Sequence, residues 1–597
     1  MLLNNPAPEE VTAVRQEISY LAAQGEVYDE NIPFGEGAFQ KRVLIMSVFA
    51  GAIMYAQNLL FRMSWLEMDH WCRRTNAYSN MSVAAWKELA IPLYPNGSYS
   101  RCTTRVPPDG GTWARVEPCV EWEFDLDEHG NTAVSEWSVV CQRRRLADAA
   151  QVAHVVTMTI TLLALGPIAD RIGRKTVGVL ALAALLLTLS AAAVATDLQT
   201  FIVVRSVAAA ASAGLFVLSV LLYEITTTTR RLLYTTIGSA LSFVISRVCL
   251  SLAHAWKASW SASHMLLAFF ALVLLVAFPV LDESPSWLIA AHREDEARRV
   301  AVRVANANDA PVSHCHEFFK RHMYRVQQVP DGTTGTSQGS SGKRANLTRP
   351  YVLTAFIWTV LGLTSVHFDS SHPTAHSAYV RALIDLGIAP LLVAVWPHLE
   401  NGRRLRNVAA CAALVFSSSS ALLFSAYTEY NTALATVLLI VMRLASILLV
   451  VLEFYLTLAA FPTESRSTGS CLGLASFWIC NLIGLVKFRG VLKRREDNSL
   501  MVETVLMAMT AMATMYMPSE DACPSRSMDS LAAASLPSKT SPFSGGQPPC
   551  SAVVSLAAED QPKASPVDVR TASRKKSRAN KMPEQFAVRP SKFPVNW

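Results

Sequence analysis

The chain has 597 residues, of which 51% are hydrophobic and only 17% are charged. Soluble proteins carry about 25% charged residues, so this composition excludes a small soluble enzyme, a disordered scaffold and a fibrous protein. The net charge of +7 does not indicate nucleic-acid binding, because the basic residues lie in short loops and one tail rather than in a groove interleaved with aromatic residues. A polytopic membrane protein, with basic loops against an anionic membrane face, is the class that remains.

Long apolar segments define the expected architecture, since a spanning helix needs about 20 apolar residues. Twelve spans are predicted in chain order: 43–61, 147–167, 176–195, 201–222, 232–252, 264–281, 351–367, 378–397, 407–426, 433–459, 469–487 and 500–517. The last is short, rich in methionine and interrupted by Glu503. The polar segments between and around them are an N-terminus (1–42), a loop after the first span (62–146), a central loop (282–350) and a tail (518–597). The central loop and the tail are expected to be flexible or weakly helical.

The distribution of basic residues predicts the orientation. The loops expected in the cytosol carry clusters of arginine and lysine: Arg171, Arg174 and Lys175, then Arg230 and Arg231, then Arg403, Arg404 and Arg406, then Arg466. The opposite turns, 196–200, 368–377 and 427–432, carry neither residue. Both termini are therefore expected in the cytosol. The basic loop 487–495 breaks the alternation if 500–517 spans the membrane.

The long loop 62–146 carries the features of an extracellular segment. Its four cysteines predict two disulfides, for which three pairings are open: Cys72, Cys102, Cys119 and Cys141. Two glycosylation sequons lie in the same loop, at Asn80 and Asn96. A third, at Asn346, lies in the predicted cytosolic loop and is expected to stay unmodified.

A charged turn between the second and third predicted spans carries the most specific motif. It reads Gly166-Pro-Ile-Ala-Asp170-Arg171-Ile-Gly173-Arg174-Lys175. The glycines allow a tight turn and a close helix approach, and the acid has bases one and four residues later with which to pair. A related turn recurs about 230 residues later, with Pro397, Glu400, Gly402, Arg403 and Arg404. The repeat predicts two six-span bundles, 43–281 and 351–517, separated by the central loop.

This turn resembles the signature loop of the major facilitator superfamily. Further motifs resemble one branch of it: Glu136-Trp-Ser-Val-Val-Cys141 at the end of the outer loop, Asp282-Glu-Ser-Pro-Ser-Trp-Leu288, and Phe461-Pro-Thr-Glu-Ser-Arg466. Over about residues 35–520 the chain resembles the organic cation, anion and carnitine transporters of solute carrier family 22. The resemblance implies an all-α plasma-membrane protein that moves small organic ions by alternating access, without a cofactor. The coupling ion is left open.

The departures from the family leave the charge of the substrate open. Relatives usually have a basic residue where Ser286 stands and an acid where Ala459 stands. The eleventh span holds an Asp in cation carriers and an Arg in anion carriers, whereas residues 470–486 here are uncharged.

Ionisable and aromatic side chains inside the spans supply the candidate site residues. Arg205 is weighed equally as a gate or coupling residue and as a structural partner for Asp170 or a helix end. Arg381 and Asp385, four residues apart, are expected to neutralise each other. Arg443 matches the family's basic position and is the candidate contact for an anionic group, with a salt bridge across the bundle as its alternative. The expected gate residues are Gly166, Asp170, Arg171, Gly173, Arg174, Arg205, Glu224, Arg230, Glu400, Gly402, Arg403 and Arg466, and the expected substrate contacts are Trp358, Arg443, Phe477 and Trp478.

Other functions find less support in the sequence. The cluster His314, Cys315, His316 and His322 fits no structural zinc spacing, and Gly332–Lys343 departs from a phosphate-binding loop where Arg344 replaces the required Ser or Thr. Neither a metal site nor an enzyme is predicted. The alternatives that stay open are a non-transporting receptor or scaffold of the same fold and a sugar-porter-like uniporter. A channel is disfavoured because the repeat is that of a carrier.

Overall fold

The computed structural model describes residues 34–65, 68–95, 97–108, 114–127, 130–327, 348–370, 384–395, 399, 402–428, 432–490 and 496–518. Long helices dominate this part of the chain. In chain order the helices are α1 (Ala38–Ser64), α2 (Val83–Ala90), α3 (Ala133–Glu136), α4 (Arg144–Ile172), α5 (Arg174–Ala193), α6 (Leu198–Ala213), α7 (Val217–Ile225), α8 (Thr228–Ala255), α9 (Trp260–Ala277), α10 (Pro285–Ala290), α11 (Glu294–Ala307), α12 (Val312–Gln327), α13 (Thr348–Ser370), α14 (Ile388–Val395), α15 (Gly402–Thr428), α16 (Thr432–Ala460), α17 (Arg466–Gly490) and α18 (Glu496–Met515).

Eight helices within the described residues are long and apolar enough to cross a membrane. They are Ala38–Ser64, Cys141–Ile172, Arg174–Ala193, Leu198–Ile225, Arg230–Ala255, Trp260–Val280, Arg403–Ala426 and Ala433–Ala460. The other four predicted spans fall on α13, on residues 384–395 including α14, on α17 and on α18, of which Leu500–Met515 is a shorter apolar helix. Residues 378–383, 396 and 397 of the predicted span 378–397 lie outside the described residues. The count of twelve stays a prediction.

Two helix groups pack together. In the first, which we call the N half (α1 and α4–α9), α1 lies against α8 and α5 lies between α6 and α9. In the second, the C half (α13–α18), α17 packs on α13, and α15 packs on α16 and α18. The halves meet where α4 runs along α17 and where α8 touches α16.

The loop after α1 forms a small disulfide-linked domain. Strand β1 (His70–Cys72) pairs antiparallel with β4 (Trp122–Phe124), and β2 (Thr103–Val106) pairs antiparallel with β3 (Arg115–Pro118). Disulfides join Cys72 to Cys119 and Cys102 to Cys141, which selects one of the three open pairings. Asn80 is exposed, and Asn96 lies outside the described residues.

The tryptophan of the Glu-Trp-x-x-x-Cys motif attaches this domain to the helices. The Trp137 ring lies 5.0 Å from the Phe201 ring on α6 and 4.9 Å from the Trp260 ring on α9. The motif therefore fixes the small domain to the end of the N half at which α4 begins.

The central loop is more ordered than its sequence predicts. Residues 285–327 form α10–α12, and α11 buries Ala297, Val300, Ala301 and Val304. This i, i+3, i+4, i+7 spacing gives α11 an apolar face that packs against α12 and the N half. The expectation of a flexible or weakly helical segment is wrong for this part, because the apolar face has a surface to bury against. Residues 328–347 and 519–597 lie outside the described residues.

Candidate functional site

The turn between α4 and α5 lies at the end of α4 opposite to the disulfide-linked domain. Helix α4 has 29 residues, so its two ends are about 43 Å apart. Gly173 breaks the helix there with a backbone φ of +105°, a conformation that side chains other than glycine rarely adopt. A Cβ at this position would also collide with the Glu283 carboxylate. The turn therefore requires a glycine at residue 173.

Glu283 fixes the start of α5 at this turn. Its Oε1 accepts a hydrogen bond from the Arg174 amide at 3.1 Å, and its Oε2 accepts one from the Lys175 amide at 3.0 Å. A carboxylate is favoured at a helix N-terminus because the first backbone amides have no partner within the helix. The pKa of Glu283 is raised, because burial outweighs the hydrogen bonds from the Ser284 and Lys175 amides, which lower it.

Asp170 connects the two halves. Its Oδ2 accepts hydrogen bonds from the Thr468 amide at 2.9 Å and the Thr468 hydroxyl at 2.7 Å, and its Oδ1 accepts one from the Ser467 amide at 3.2 Å. These groups form the first turn of α17, so a carboxylate of the N half caps a helix of the C half. Gly166 permits this approach, because a Cβ there would lie only 2.7 Å from the Cα of Thr468.

A buried ionic cluster continues from Asp170. Arg174 donates from Nη2 to Asp170 Oδ1 at 3.1 Å, to Glu224 Oε1 at 3.1 Å and to the Thr463 carbonyl at 2.7 Å. Arg466 of the C half donates to the same Glu224 oxygen at 3.0 Å. We call Asp170, Arg174, Glu224 and Arg466 the corner network. All four side chains are at most 9% exposed, and removing one partner from buried charges of this kind costs about 3–5 kcal/mol.

Other predicted gate residues lie outside the corner network. Arg171 and Arg230 are exposed. Arg205 is buried within the N half, where it donates to the Gln57 carbonyl at 3.0 Å and lies 5.3 Å from the Phe61 ring. It is therefore not a partner of Asp170. In the second turn, Gly402 begins α15 and Arg403 is exposed, and Glu400 lies outside the described residues.

The predicted aromatic contacts pack chiefly within the C half. Trp358 is buried and donates from Nε1 to the Thr457 hydroxyl at 2.9 Å, and its ring is 6.3 Å from that of Phe477. Trp478 reaches the N half, where its ring lies 6.1 Å from that of His154.

A second charged cluster joins the halves through the interior. Asp385, in a helical turn before α14, accepts hydrogen bonds from Arg443 Nε on α16 at 2.8 Å and Arg443 Nη2 at 3.2 Å. Arg247 on α8 donates from Nε to Asp385 Oδ2 at 2.8 Å, the same oxygen that Arg443 Nη2 binds. The expected pairing with Arg381 lies outside the described residues. For Arg443 the structure shows the alternative of an ion pair, with Asp385 of the same half. The link to the N half is the ion pair between Asp385 and Arg247.

Sequence reasoning did not find Arg247. The available signal is a charged residue inside the predicted span 232–252, which is costly in a membrane without a partner. Its partner Asp385 is 138 residues away, so no local spacing reveals the contact.

Potential metal ligands are grouped in one place within the described part of the chain, at His70, Cys102 and Cys141. The two cysteines form a disulfide there and offer no thiolate to an ion. Cys315 of the histidine-rich segment is buried in α12.

The sequence profile described as the Major Facilitator Superfamily matches residues 144–486, more than half of the chain. The chain belongs to the Major Facilitator Superfamily. This family assignment, together with the apolar helices, makes it a multi-pass membrane protein.

The curated relatives are members of solute carrier family 22. Solute carrier family 22 member 6-A of Xenopus laevis is 25% identical over 293 residues, which cover 46% of this chain and 52% of the relative. Organic anion transporter 3 of Mus musculus is 28% identical over 265 residues, which cover 42% and 46%. The chain thus spans about half the length of the curated relatives that it matches.

Solved structures support the fold. The proton:xylose symporter XylE bound to 6-bromo-6-deoxy-D-glucose matches 83% of this chain and 99% of its own, with a TM-score of 0.56 at 11% identity. At this identity the likeness concerns the fold alone.

Proposed function

We propose that this protein is a secondary transporter of small organic ions that works by alternating access and carries out no chemical conversion. The proposal is supported by the family, by the relatives named as organic anion transporters and members of solute carrier family 22, and by the contacts between the halves. The observation that carries it is the corner network, in which buried charged groups of one half form hydrogen bonds and an ion pair with groups of the other.

The corner network acts in this proposal as the cytosolic gate. Asp170 and Glu224 hold α17 and Arg466 against the N half, which closes the path between the halves at that end. When the halves rock apart, these hydrogen bonds exchange for bonds to water. The difference in free energy between the two arrangements sets how often the site faces the cytosol.

The proposed orientation follows from the two ends of α4. The disulfide-linked domain lies at its beginning, and we place this domain, with its sequons at Asn80 and Asn96, outside the plasma membrane, where disulfides persist. The helices α10–α12 lie near its other end, where Trp287 donates to the Asp170 carbonyl at 2.8 Å. We propose that this end lies in the cytosol, together with the N-terminal segment 1–42 and the C-terminal tail 518–597.

Uptake by the purified full chain in proteoliposomes tests this function. The probes are a labelled aromatic anion (naphthalene-2-sulfonate), a labelled aromatic cation (trimethylanilinium) and labelled carnitine, each measured under imposed pH, sodium and voltage gradients. We expect saturable uptake of at least one probe that its unlabelled form inhibits. If correctly folded protein takes up none of them above empty vesicles, the proposed function is wrong.

A further inference from the structure

Arg205 is a cation buried inside the N half, away from every ion pair described above. It lies on α6 seven residues after Leu198, where the helix begins, and so about 10 Å from that end. The residue is 0% exposed, and its contacts are the Gln57 carbonyl at 3.0 Å and the Phe61 ring at 5.3 Å. No Asp or Glu in the described part of the chain forms an ion pair with it. A guanidinium without an anion is costly inside a membrane span, so its charge calls for a partner.

The polar atoms around this guanidinium have unused hydrogen-bonding capacity. Nε and Nη1 of Arg205 are buried and have no acceptor among the described residues. The Gln57 side chain is also 0% exposed, and neither its Oε1 nor its Nε2 has a partner there. Because the Gln57 carbonyl accepts from Arg205, the Gln57 amide group belongs to the same turn of α1 as this contact. Buried donors are nearly always hydrogen-bonded, so this group of donors indicates a ligand.

Aromatic rings from four helices surround the same place. The Phe61 ring on α1, which Arg205 contacts, is stacked on the His154 ring of α4 at 4.1 Å. Phe201, one turn before Arg205 on α6, has its ring 5.8 Å from that of His264 on α9. The titratable side chains in these contacts are the two histidines, and an imidazole is either neutral or positive. The surroundings therefore add no negative charge and leave room only for a small ligand.

From these contacts we infer that Arg205 and the Gln57 amide form a binding site for one chloride ion inside the N half. Water would satisfy the donors, but it would leave the charge of the guanidinium without an anion. Chloride carries its charge on a single atom and accepts hydrogen bonds from several directions, so it fits among donors on two neighbouring helices. The bound ion holds α1 to α6 at the end of the N half that meets the disulfide-linked domain.

Binding of radioactive chloride (³⁶Cl⁻) to the purified full chain tests the site directly. The ionic strength is kept constant with sodium gluconate, whose anion is too large for the enclosed place. We expect saturable binding of one chloride per chain. The melting temperature should rise by about 5 °C when chloride replaces gluconate at 100 times the chloride Kd, because a ligand that binds only the folded chain stabilises it.

A tethered carboxylate provides the most specific variant. Gln57→Glu places an anion of the chain itself beside Arg205, and such a group excludes a dissolved ion because its effective concentration is high. This variant should bind no ³⁶Cl⁻ and should melt at the same temperature in chloride and in gluconate. Arg205→Gln removes the guanidinium and should also lose ³⁶Cl⁻ binding.

The matched control makes the same substitution on the surface of the N half. Gln199 is exposed in the first turn of α6, where a carboxylate is favoured. Gln199→Glu should therefore bind ³⁶Cl⁻ and gain melting temperature as the wild type does.

The inference is wrong if the wild type binds no ³⁶Cl⁻ saturably, or if Gln57→Glu and Gln199→Glu bind it alike. If neither Gln57→Glu nor Arg205→Gln folds, anomalous diffraction from wild-type crystals grown in sodium bromide decides. Bromide should give a peak beside Nε and Nη1 of Arg205, and a peak elsewhere or no peak contradicts the site.

Failure of the chloride site is distinguishable from failure of the proposed function, because these measurements involve no transport. Uptake of an organic ion by a protein that binds no chloride rejects the site alone. Chloride binding by a protein that takes up none of the three organic probes rejects the transporter alone.

Discussion

Replacement of Asp170 by Asn tests the corner network with a minimal change of shape. The carboxylate accepts three hydrogen bonds from the first turn of α17 and one from Arg174. Asn keeps one acceptor oxygen, but it places an NH₂ group against donors and removes the charge. Hydrogen bonds to a charged group contribute about 1.5–3 kcal/mol each, and a charge at a helix N-terminus contributes about 0.3–1 kcal/mol.

The lost hydrogen bonds destabilise the arrangement in which the corner network is closed. A net loss of about 2 kcal/mol shifts the ratio of closed to open corner about 30-fold. Cys471 reports this shift, because it is buried next to the position of Gly166 at the contact between the halves. Maleimide labelling in membranes, followed by peptide mass spectrometry, measures the rate at Cys471 without removal of the other cysteines.

The comparison needs one control from the same motif. Arg171 is exposed, so Arg171→Gln should label Cys471 at the wild-type rate. In Asp170→Asn the rate at Cys471 should rise by a factor approaching 30, and transport should fall while the amount of surface protein persists. Wild-type labelling together with full transport in Asp170→Asn would refute the role of the corner network as a gate.

Three further substitutions test the corner network, the turn at Gly173 and the disulfide-linked domain. Glu224→Gln leaves two buried arginines without their shared carboxylate, at a cost of about 3–5 kcal/mol; we expect little folded protein by size-exclusion chromatography, and a normal elution profile would contradict this. Gly173→Ala introduces a Cβ at a positive φ and against Glu283, which should lower the thermal midpoint, and an unchanged midpoint would argue against the described turn. Cys72→Ser removes a disulfide to Cys119 that closes 47 residues, so the small domain should lose about 4 kcal/mol of stability and become sensitive to protease; resistance equal to the wild type would show that the disulfide is dispensable.

The sequence predicts what is encoded locally. The turn Gly166–Lys175 has its acid, bases and glycines within ten residues, and the structure places Asp170 and Arg174 in one network. The apolar segments predict where most of the long helices lie, because a run of about 20 apolar residues is typical of a membrane-spanning helix. The four cysteines of the outer loop predict disulfides but not their pairing.

Contacts between distant segments cannot be predicted from local sequence patterns. The i, i+4 rule pointed Asp385 towards Arg381, whereas the described partners of Asp385 lie on α8 and α16. A helical spacing rule describes only neighbours on one helix, and packing of separate helices decides the rest. The sequence does carry a signal for α11, because Ala297, Ala301 and Val304 have the spacing of a buried helical face.

The most direct test of alternating access is a reversible cross-link between the halves. The Tyr223 ring on α7 lies 5.8 Å from the Tyr455 ring on α16, so cysteines at these two positions are within reach of a short bis-methanethiosulfonate cross-linker. In the double variant Tyr223→Cys, Tyr455→Cys, cross-linking in proteoliposomes should therefore stop uptake and dithiothreitol should restore it, whereas neither single variant should respond. Unchanged uptake through a carrier whose cross-link is confirmed by mass spectrometry would contradict the claim that the halves must separate at this corner.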